Sequence, residues 1–336
     1  MVKLLKSSKD INFYIDDFIE YCHIKGLSKK TMKSYEASLL LFAKYMIEEF
    51  QITRIEDIKG SHTNEYIKFT KERGKYSFVA DDKTVSINNP STRKDFGKTV
   101  SASTINNYIR NMKVFFNWAV DKKIIKLSPM NKVKFSKNVR KPKDDITDSD
   151  FKALIKVLDL TKYHEYRDYV IIQLIMDTGM RLGETLALTI DDIDIDRRAI
   201  LIPSDISKGK KDRYVFFSNT VSSILRKWLQ YKDRYIDNDA LLFPTNRGTA
   251  LNVTNFERNC RIYKEKSGIE KNITAHGLRN NFAKRCLMSG MDIFTLSKIL
   301  GHSSVTVTEK AYLDLTVTDI RKNYQRFSPI ENMKNR

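Results

Sequence analysis

The stretch whose reading decides the fold runs from Thr274 to Tyr312, TAHGLRNNFAKRCLMSGMDIFTLSKILGHSSVTVTEKAY. Its candidate side chains are His276, Arg279, His302 and Tyr312: two imidazoles, a guanidinium and a phenol. His276 and Arg279 stand three apart at a predicted helix start, so both side chains face the same way. Gly290 closes that helix, Asp292 caps the next, and Gly301 ends it just before His302. Thr306 and Glu309 form a capping-box pair that predicts a third helix, with Tyr312 on its second turn. Three short helices are expected to bring four polar side chains forward.

Upstream, YRDYVIIQLIMDTG is apolar nearly all round, which predicts a buried central helix ending at Asp177-Thr178-Gly179. MRLGETLAL follows at once and places Arg181 at the junction with the next helix, three residues before Glu184. An arginine there is costly unless it is paired or used. The run DIDIDRRAILIPSDISKGKKDRYVFFS alternates on both sides of a turn and predicts a small antiparallel sheet. Its hairpin tip is Ser207-Lys208-Gly209-Lys210-Lys211. Val221 to Tyr231 and Asn252 to Ser267 complete this half as helices.

The first half is helical as well. From Asn12 to Glu49 apolar residues recur at three and four, giving two amphipathic helices joined near Gly26-Leu27. The second opens with Ser28 as N-cap and Lys29, Lys30, Thr31, Lys33 and Tyr35 around its first turns. Thr63 to Glu72 forms a shorter helix. The polar insert from Gly74 to Lys98 reads as a long loop or a strand pair. From Ser101 the helical pattern returns, with Ser103, Thr104, Asn107 and Arg110 near its start and Phe115, Phe116, Trp118 and Ala119 as its core face. Hydroxyls, cations and free N–H groups at a helix start suit a phosphate; a capped, solvated helix end accounts for them too. KVKFSKNVRKPKDD, containing Arg140 and Lys141, reads as a basic linker.

The whole chain limits the function. At 336 residues it has room for two cores. Its 60 Lys+Arg against 41 Asp+Glu leave a net charge of +19, an excess that points first to a nucleic-acid partner. Cys22, Cys260 and Cys286 are odd in number and scattered, which argues against a disulfide framework and offers no zinc spacing. The N-terminus turns polar too early for a signal peptide, and no apolar run approaches a membrane span. A cytoplasmic protein without metal or cofactor is expected.

Taken together, the boxes resemble the tyrosine recombinase family, which includes phage integrases and Xer-like enzymes, over nearly the whole chain. The family pattern is an arginine in TGxRxxE, a lysine in a β-hairpin, an HxLR box, an LGH box and then a tyrosine. Here these look like TGMRLGE with Arg181 and Glu184, SKGKK with Lys208, HGLR with His276 and Arg279, LGH with His302, and Tyr312. Each box is weak alone, but five in this order are specific. The resemblance implies a mainly α fold with a small antiparallel sheet, in two domains that form a C-shaped clamp on DNA. A SAM-like core-binding domain over 8–131, with its insert at about 74–100, precedes the linker over 132–145. An α+β catalytic domain over 146–316 and a tail over 317–336 follow.

The implied activity is site-specific recombination or integration through a 3′-phosphotyrosine, without ATP or metal. Type IB topoisomerase-like relaxation and a non-catalytic DNA-binding regulator are the alternatives. A phosphodiester repels its attacker, and charge grows on its equatorial oxygens in the transition state. Arg181 and Arg279 offer fixed planar forks to those oxygens, and His302 adds a donor. His276 titrates near neutrality and can relay the phenol's proton. Tyr312 is the nucleophile; its ordinary pKa near 10 calls for a cationic surrounding. Lys208 would protonate the leaving 5′-oxygen, as the resemblance implies.

One departure stands out. In most relatives the tyrosine follows the LGH histidine by nine residues, whereas here Ala311 is ninth and Tyr312 tenth. One residue turns a helix by about 100°, so the preceding loop has to absorb it. The expected partners are core sites in duplex DNA and further copies of the chain, four on synapsed DNA and exchanging C-terminal tails. The family pattern also admits an accessory DNA-bending protein. About ten residues precede the first helix, which favours a compact enzyme acting on simple core sites in the nucleoid.

Overall fold

The computed structural model describes residues 10–80, 92–137, 145–207, 209–236, 240–302 and 304–312, with 321, 328, 330 and 333; the side chains of 310–312 are left aside. Lys208, Arg140, Lys141 and most of the predicted tail therefore lie outside the described residues, as does most of the predicted strand pair in the insert. The chain divides into two compact units, Met1–Arg140 and Lys141–Arg336.

The first unit is helical: α1 (Ile11–Ile24), α2 (Lys29–Phe50), a 3-10 turn, α3 (Gly60–Glu72) and α4 (Ala102–Asp121). The caps determine where the helices begin. Ser28 Oγ accepts from the Thr31 amide at 3.2 Å, and Ser101 Oγ accepts from the Thr104 amide at the same distance. The threefold-fourfold apolar spacing then buries Phe18, Leu39, Phe42, Phe115 and Phe116. Their rings meet edge-on or tilted, as aromatic quadrupoles prefer, with Phe18 against Phe115 and Trp118 and Phe42 against Tyr66 and Phe116. The insert leaves at Gly74, which bridges to Thr99, and a Cβ on Gly74 would come within 2.6 Å of the Gly97 backbone. Residues 132–137, the start of the predicted linker, are held against α4: Val133 is buried, and the Ser136 amide donates to Asn106 Oδ1 at 2.7 Å.

The second unit runs α5 (Asp148–Lys156), α6 (Tyr163–Thr178), α7 (Leu182–Ala187), β1 (Ile193–Asp194), β2 (Ala199–Ile202), β3 (Arg213–Phe216), α8 (Asn219–Tyr235), α9 (Val253–Lys266), α10 (Ala275–Met288), α11 (Ile293–Leu300) and α12 (Val305–Tyr312). As its continuous apolar surface requires, α6 is the central helix; Val170, Ile171, Ile172, Leu174 and Ile175 are fully buried. The antiparallel sheet has the order β1-β2-β3, with Ile200 opposite Val215 and Ile202 opposite Arg213. Charges inside this core are satisfied. Asp168 accepts from Arg167, Asn259 and Tyr263, which ties α9 to α6. Among the described residues, no helix is long and apolar enough to cross a membrane.

Candidate active site

The site is assembled on the C-terminal end of α11. A helix leaves its last carbonyls without internal partners, and its dipole concentrates partial negative charge there. Here three successive carbonyls each receive an arginine from a different segment. The Ile299 carbonyl accepts from Arg213 Nε at 3.2 Å, the Leu300 carbonyl from Arg279 Nη2 at 2.7 Å, and the Gly301 carbonyl from Arg181 Nη2 at 3.1 Å. Arg181 is brought there by the sharp stop of α6. Gly179 ends that helix at φ +66, and a Cβ at this position would run into the Phe282 ring. Arg279 Nη1 in turn donates to the Gly179 carbonyl at 2.7 Å, so the two arginine boxes lock each other's backbone.

Glu184 balances part of this charge. Its side chain is 3% exposed and takes Arg181 Nη1 at 2.9 Å, Arg213 Nη2 at 2.5 Å and the Arg181 amide at 3.1 Å. Burial alone would raise its pKa. The hydrogen bonds and charge of Arg213, followed by those of Arg181, outweigh burial and hold the carboxyl below its ordinary value. Glu184 is therefore an anion shared by two cations, and the trio keeps a net positive charge.

His302 follows Gly301 directly. Its Nε2 lies 3.0 Å from Arg279 Nη2 and its Nδ1 lies 2.7 Å from Thr308 Oγ1, which is fully buried. A guanidinium can only donate, so Nε2 of the neutral ring accepts and Nδ1–H faces the threonine. Burial, and then the charges of Arg279, Arg181, Arg213 and His276, push the ring's pKa down to about 4. His302 is thus neutral near pH 7, and its Nε2 accepts where the sequence led us to expect a donor. His276 lies in the first turn of α10 and is exposed, close enough for its charge to act on His302.

The sequence reading and the structure can be compared box by box. Arg181, Glu184, Arg279 and His302 meet at one place, with His276 within electrostatic reach. Lys208 is outside the described residues, but its neighbours belong to the connection between β2 and β3, where Ser207 is buried and the Gly209 amide donates to its Oγ at 3.3 Å. Tyr312 is the last residue of α12, the eighth from its start, two residues further along than a Thr306 cap predicts. The predicted capping box is corrected, because α12 starts at Val305 and Thr306 already lies inside it. The Val307 amide is taken by the Ser304 carbonyl at 3.1 Å, so the serine just upstream starts the helix.

Two residues escaped the sequence reading: Thr308, with no local signal, and Arg213. The signal for Arg213 was its place in phase with buried Val215, on the inner side of an alternating strand.

In the first unit the other candidate residues fall on two matching helix starts. Ser28 and Thr31 share a hydroxyl contact of 2.9 Å, and Ser101 and Thr104 repeat it at 2.9 Å. Asn111 Nδ2 of α4 donates to the Ser34 carbonyl of α2 at 2.9 Å, and Asn107 reaches Ser34 Oγ at 3.4 Å, which holds the two starts side by side. Lys29, Lys30, Ser103 and Arg110 are exposed beside them. Tyr35 is half-buried and packs on Phe18, with ring centroids 5.6 Å apart.

A phage integrase family model matches residues 144–318, and a model of the phage integrase N-terminal SAM-like domain matches 15–88. The chain belongs to the phage integrase family. Among its relatives, Tyrosine recombinase XerD of Listeria monocytogenes serotype 4b is 25% identical, with 95% of this chain and 99% of the relative covered. Tyrosine recombinase XerD of Staphylococcus haemolyticus is 26% identical over 94% and 98%. The fold is shared with the Tn1549 transposon integrase in complex with a circular intermediate DNA (TM-score 0.71, 19% identity, 96% of this chain and 100% of that one). It is also shared with XerH recombinase bound to palindromic difH substrate (TM-score 0.65, 20% identity, 94% and 84%). Together these place the chain among the tyrosine-type site-specific recombinases, and neither alternative reading gains support from them.

Proposed function

We propose that this recombinase cuts and rejoins duplex DNA through a 3′-phosphotyrosine, with the scissile phosphate seated at the C-terminal end of α11. The observation that carries the reading is the convergence of Arg181, Arg279 and His302 on one helix turn, with Glu184 leaving the cluster net positive. In this reading, Tyr312 attacks phosphorus, the Tyr–O–P bond forms and the bond to the 5′-oxygen breaks. His276 takes the phenolic proton and Lys208 supplies one to the leaving oxygen. The two guanidiniums meet the charge that grows on the equatorial oxygens. An incoming phosphate draws Arg279 Nη2 away from His302, and its negative charge raises the ring's pKa, so that Nε2 becomes a donor. The phosphotyrosine conserves the ester bond, so a second 5′-hydroxyl restores DNA without ATP.

The remaining assignments belong to the same proposal. Residues 8–131 bind a core site, with Ser28, Lys29, Lys30, Thr31, Tyr35, Ser103, Thr104, Asn107 and Arg110 near the phosphates. Residues 132–145, with Arg140 and Lys141, follow the backbone as a linker. Residues 146–316 carry the chemistry, and 317–336 dock on a neighbouring protomer in a tetramer on synapsed DNA. The matched helix starts and the +19 charge support the DNA contacts. The enzyme would act in the cytoplasm on nucleoid DNA, with or without a DNA-bending accessory protein.

The test uses a nicked duplex carrying the site mapped by footprinting the protein on its host's genomic DNA. Wild type is expected to form a covalent adduct in EDTA, and Tyr312→Phe none. An adduct that survives in Tyr312→Phe, or one that needs a divalent ion, would refute the reading. Relaxation of supercoils with no strand exchange would favour a topoisomerase.

A further inference from the structure

Arg213 has no task in the chemistry above, yet it is among the most fully engaged side chains of the site. It opens β3 opposite Ile202, in phase with buried Val215, and its side chain is 10% exposed. All three guanidinium nitrogens are in use. Nη1 and Nη2 meet the two Glu184 oxygens at 3.1 and 2.5 Å, and Nε meets the Ile299 carbonyl at 3.2 Å. With Glu184 on both Nη atoms and the Ile299 carbonyl on Nε, Arg213 keeps no fork for a phosphate. Its plane also lies against Gly301, where a Cβ would stand 2.8 Å from Nε and 2.9 Å from Cζ.

Two consequences follow from this placement. Without Arg213, Glu184 would have only Arg181 to neutralise, and an Arg–Glu pair carries no net charge. With Arg213 the carboxylate is divided between two cations and the trio keeps one positive charge. Arg213 also joins two pieces of chain that flank the chemistry. β3 follows the connection that contains Lys208, and the turn at Ile299–Gly301 leads into His302.

We infer that Arg213 is a positioning residue for strand cleavage: it fastens Glu184, β3 and the turn before His302 together, so that Arg181 keeps both its charge and its aim. The inference deepens the phosphate assignment made above and rests on it.

The experiment uses the full-length protein and the nicked duplex of the mapped site. It reads single-turnover adduct formation, equilibrium binding to the site, and the ring-proton NMR titration of His302. Arg213→Gln is expected to bind within about threefold of wild type and to cleave about 100-fold more slowly, the cost of a misplaced catalytic group. Arg213→Lys restores the charge without the planar fork and is expected to recover about tenfold of that loss. His302 should titrate higher than in wild type in the Gln variant but not in the Lys variant, because the Arg213 charge is one of those suppressing it. A purely structural part would instead lower binding and cleavage together and leave the lysine variant no better.

Proportional loss of binding and cleavage, or cleavage within about threefold of wild type in both variants, would overturn the inference. Should the Gln variant fail to fold, the Lys variant alone decides, with a cleavage loss at unchanged binding supporting the inference. No adduct from the wild type would instead remove the phosphate assignment itself, so the two failures are distinguishable.

Discussion

Two kinds of helix terminus carry the polar chemistry of this chain, and they are built in opposite ways. In the first unit, α2 and α4 each begin with a Ser-x-x-Thr cap whose members are neighbours in sequence. In the second unit, α11 ends on carbonyls held by arginines from α10, β3 and the turn after α6, and Arg181 and Gly301 are 120 positions apart. A helix start exposes donors and accepts any passing anion. A helix end exposes acceptors, and here guanidiniums from three distant segments fill them. Local sequence suffices for the first arrangement; the second exists only in the folded unit.

The contrast gives an order of expected effects. Glu184→Gln keeps the shape but leaves half-buried Arg181 and largely buried Arg213 without their shared anion. It should cost about 3 kcal/mol in urea unfolding, the low end for a buried pair with one partner removed. A cost as small as that of a surface pair would mean the helix-end cluster is no more integrated than the caps. Gly301→Ala meets both a positive φ of 63 and the flat face of Arg213, so about 1–3 kcal/mol is expected, with cleavage falling further than stability. An unchanged thermal midpoint would show that the turn yields freely.

Next comes pH. The folded-state pKa of His302 is about 4, below its ordinary 6.5. Between those values the unfolded chain binds a proton that the fold refuses, so stability should decline as pH falls from 6.5 to 4 and level off below. Unfolding of wild type and His302→Gln at pH 7 and pH 5 checks this, the variant showing the shallower decline. Last come the caps. Ser28→Ala and Ser101→Ala should each cost about 1 kcal/mol, measured by thermal melting. They should weaken DNA binding without altering the cleavage rate of bound DNA; a cleavage defect at saturating DNA would blur the distinction between the two termini.

How much of this was legible follows the same division. The caps Ser28 and Asp292, the stop at Gly179 and the buried α6 could all be read from residues within a turn or two of each other. The start of α12 was misplaced because Thr306 and Ser304 both suit a helix beginning, and a local pattern does not rank them. Arg181 and Glu184 were legible as a pair, but the sharing of Glu184 with Arg213 was not.

By itself, the sequence determined which residue types are present, the periodicities that make helices and a small sheet, and the order of boxes that marks the family. Only the tertiary structure decided that three arginines meet three consecutive carbonyls of α11, that Thr308 holds the ring of His302, and that Arg213 belongs to this cluster. The physical reason is range. Caps and periodicity arise from interactions within a few residues. An unfilled helix end and a buried carboxylate can be satisfied by any donor the fold carries to them, and nothing local says which one arrives.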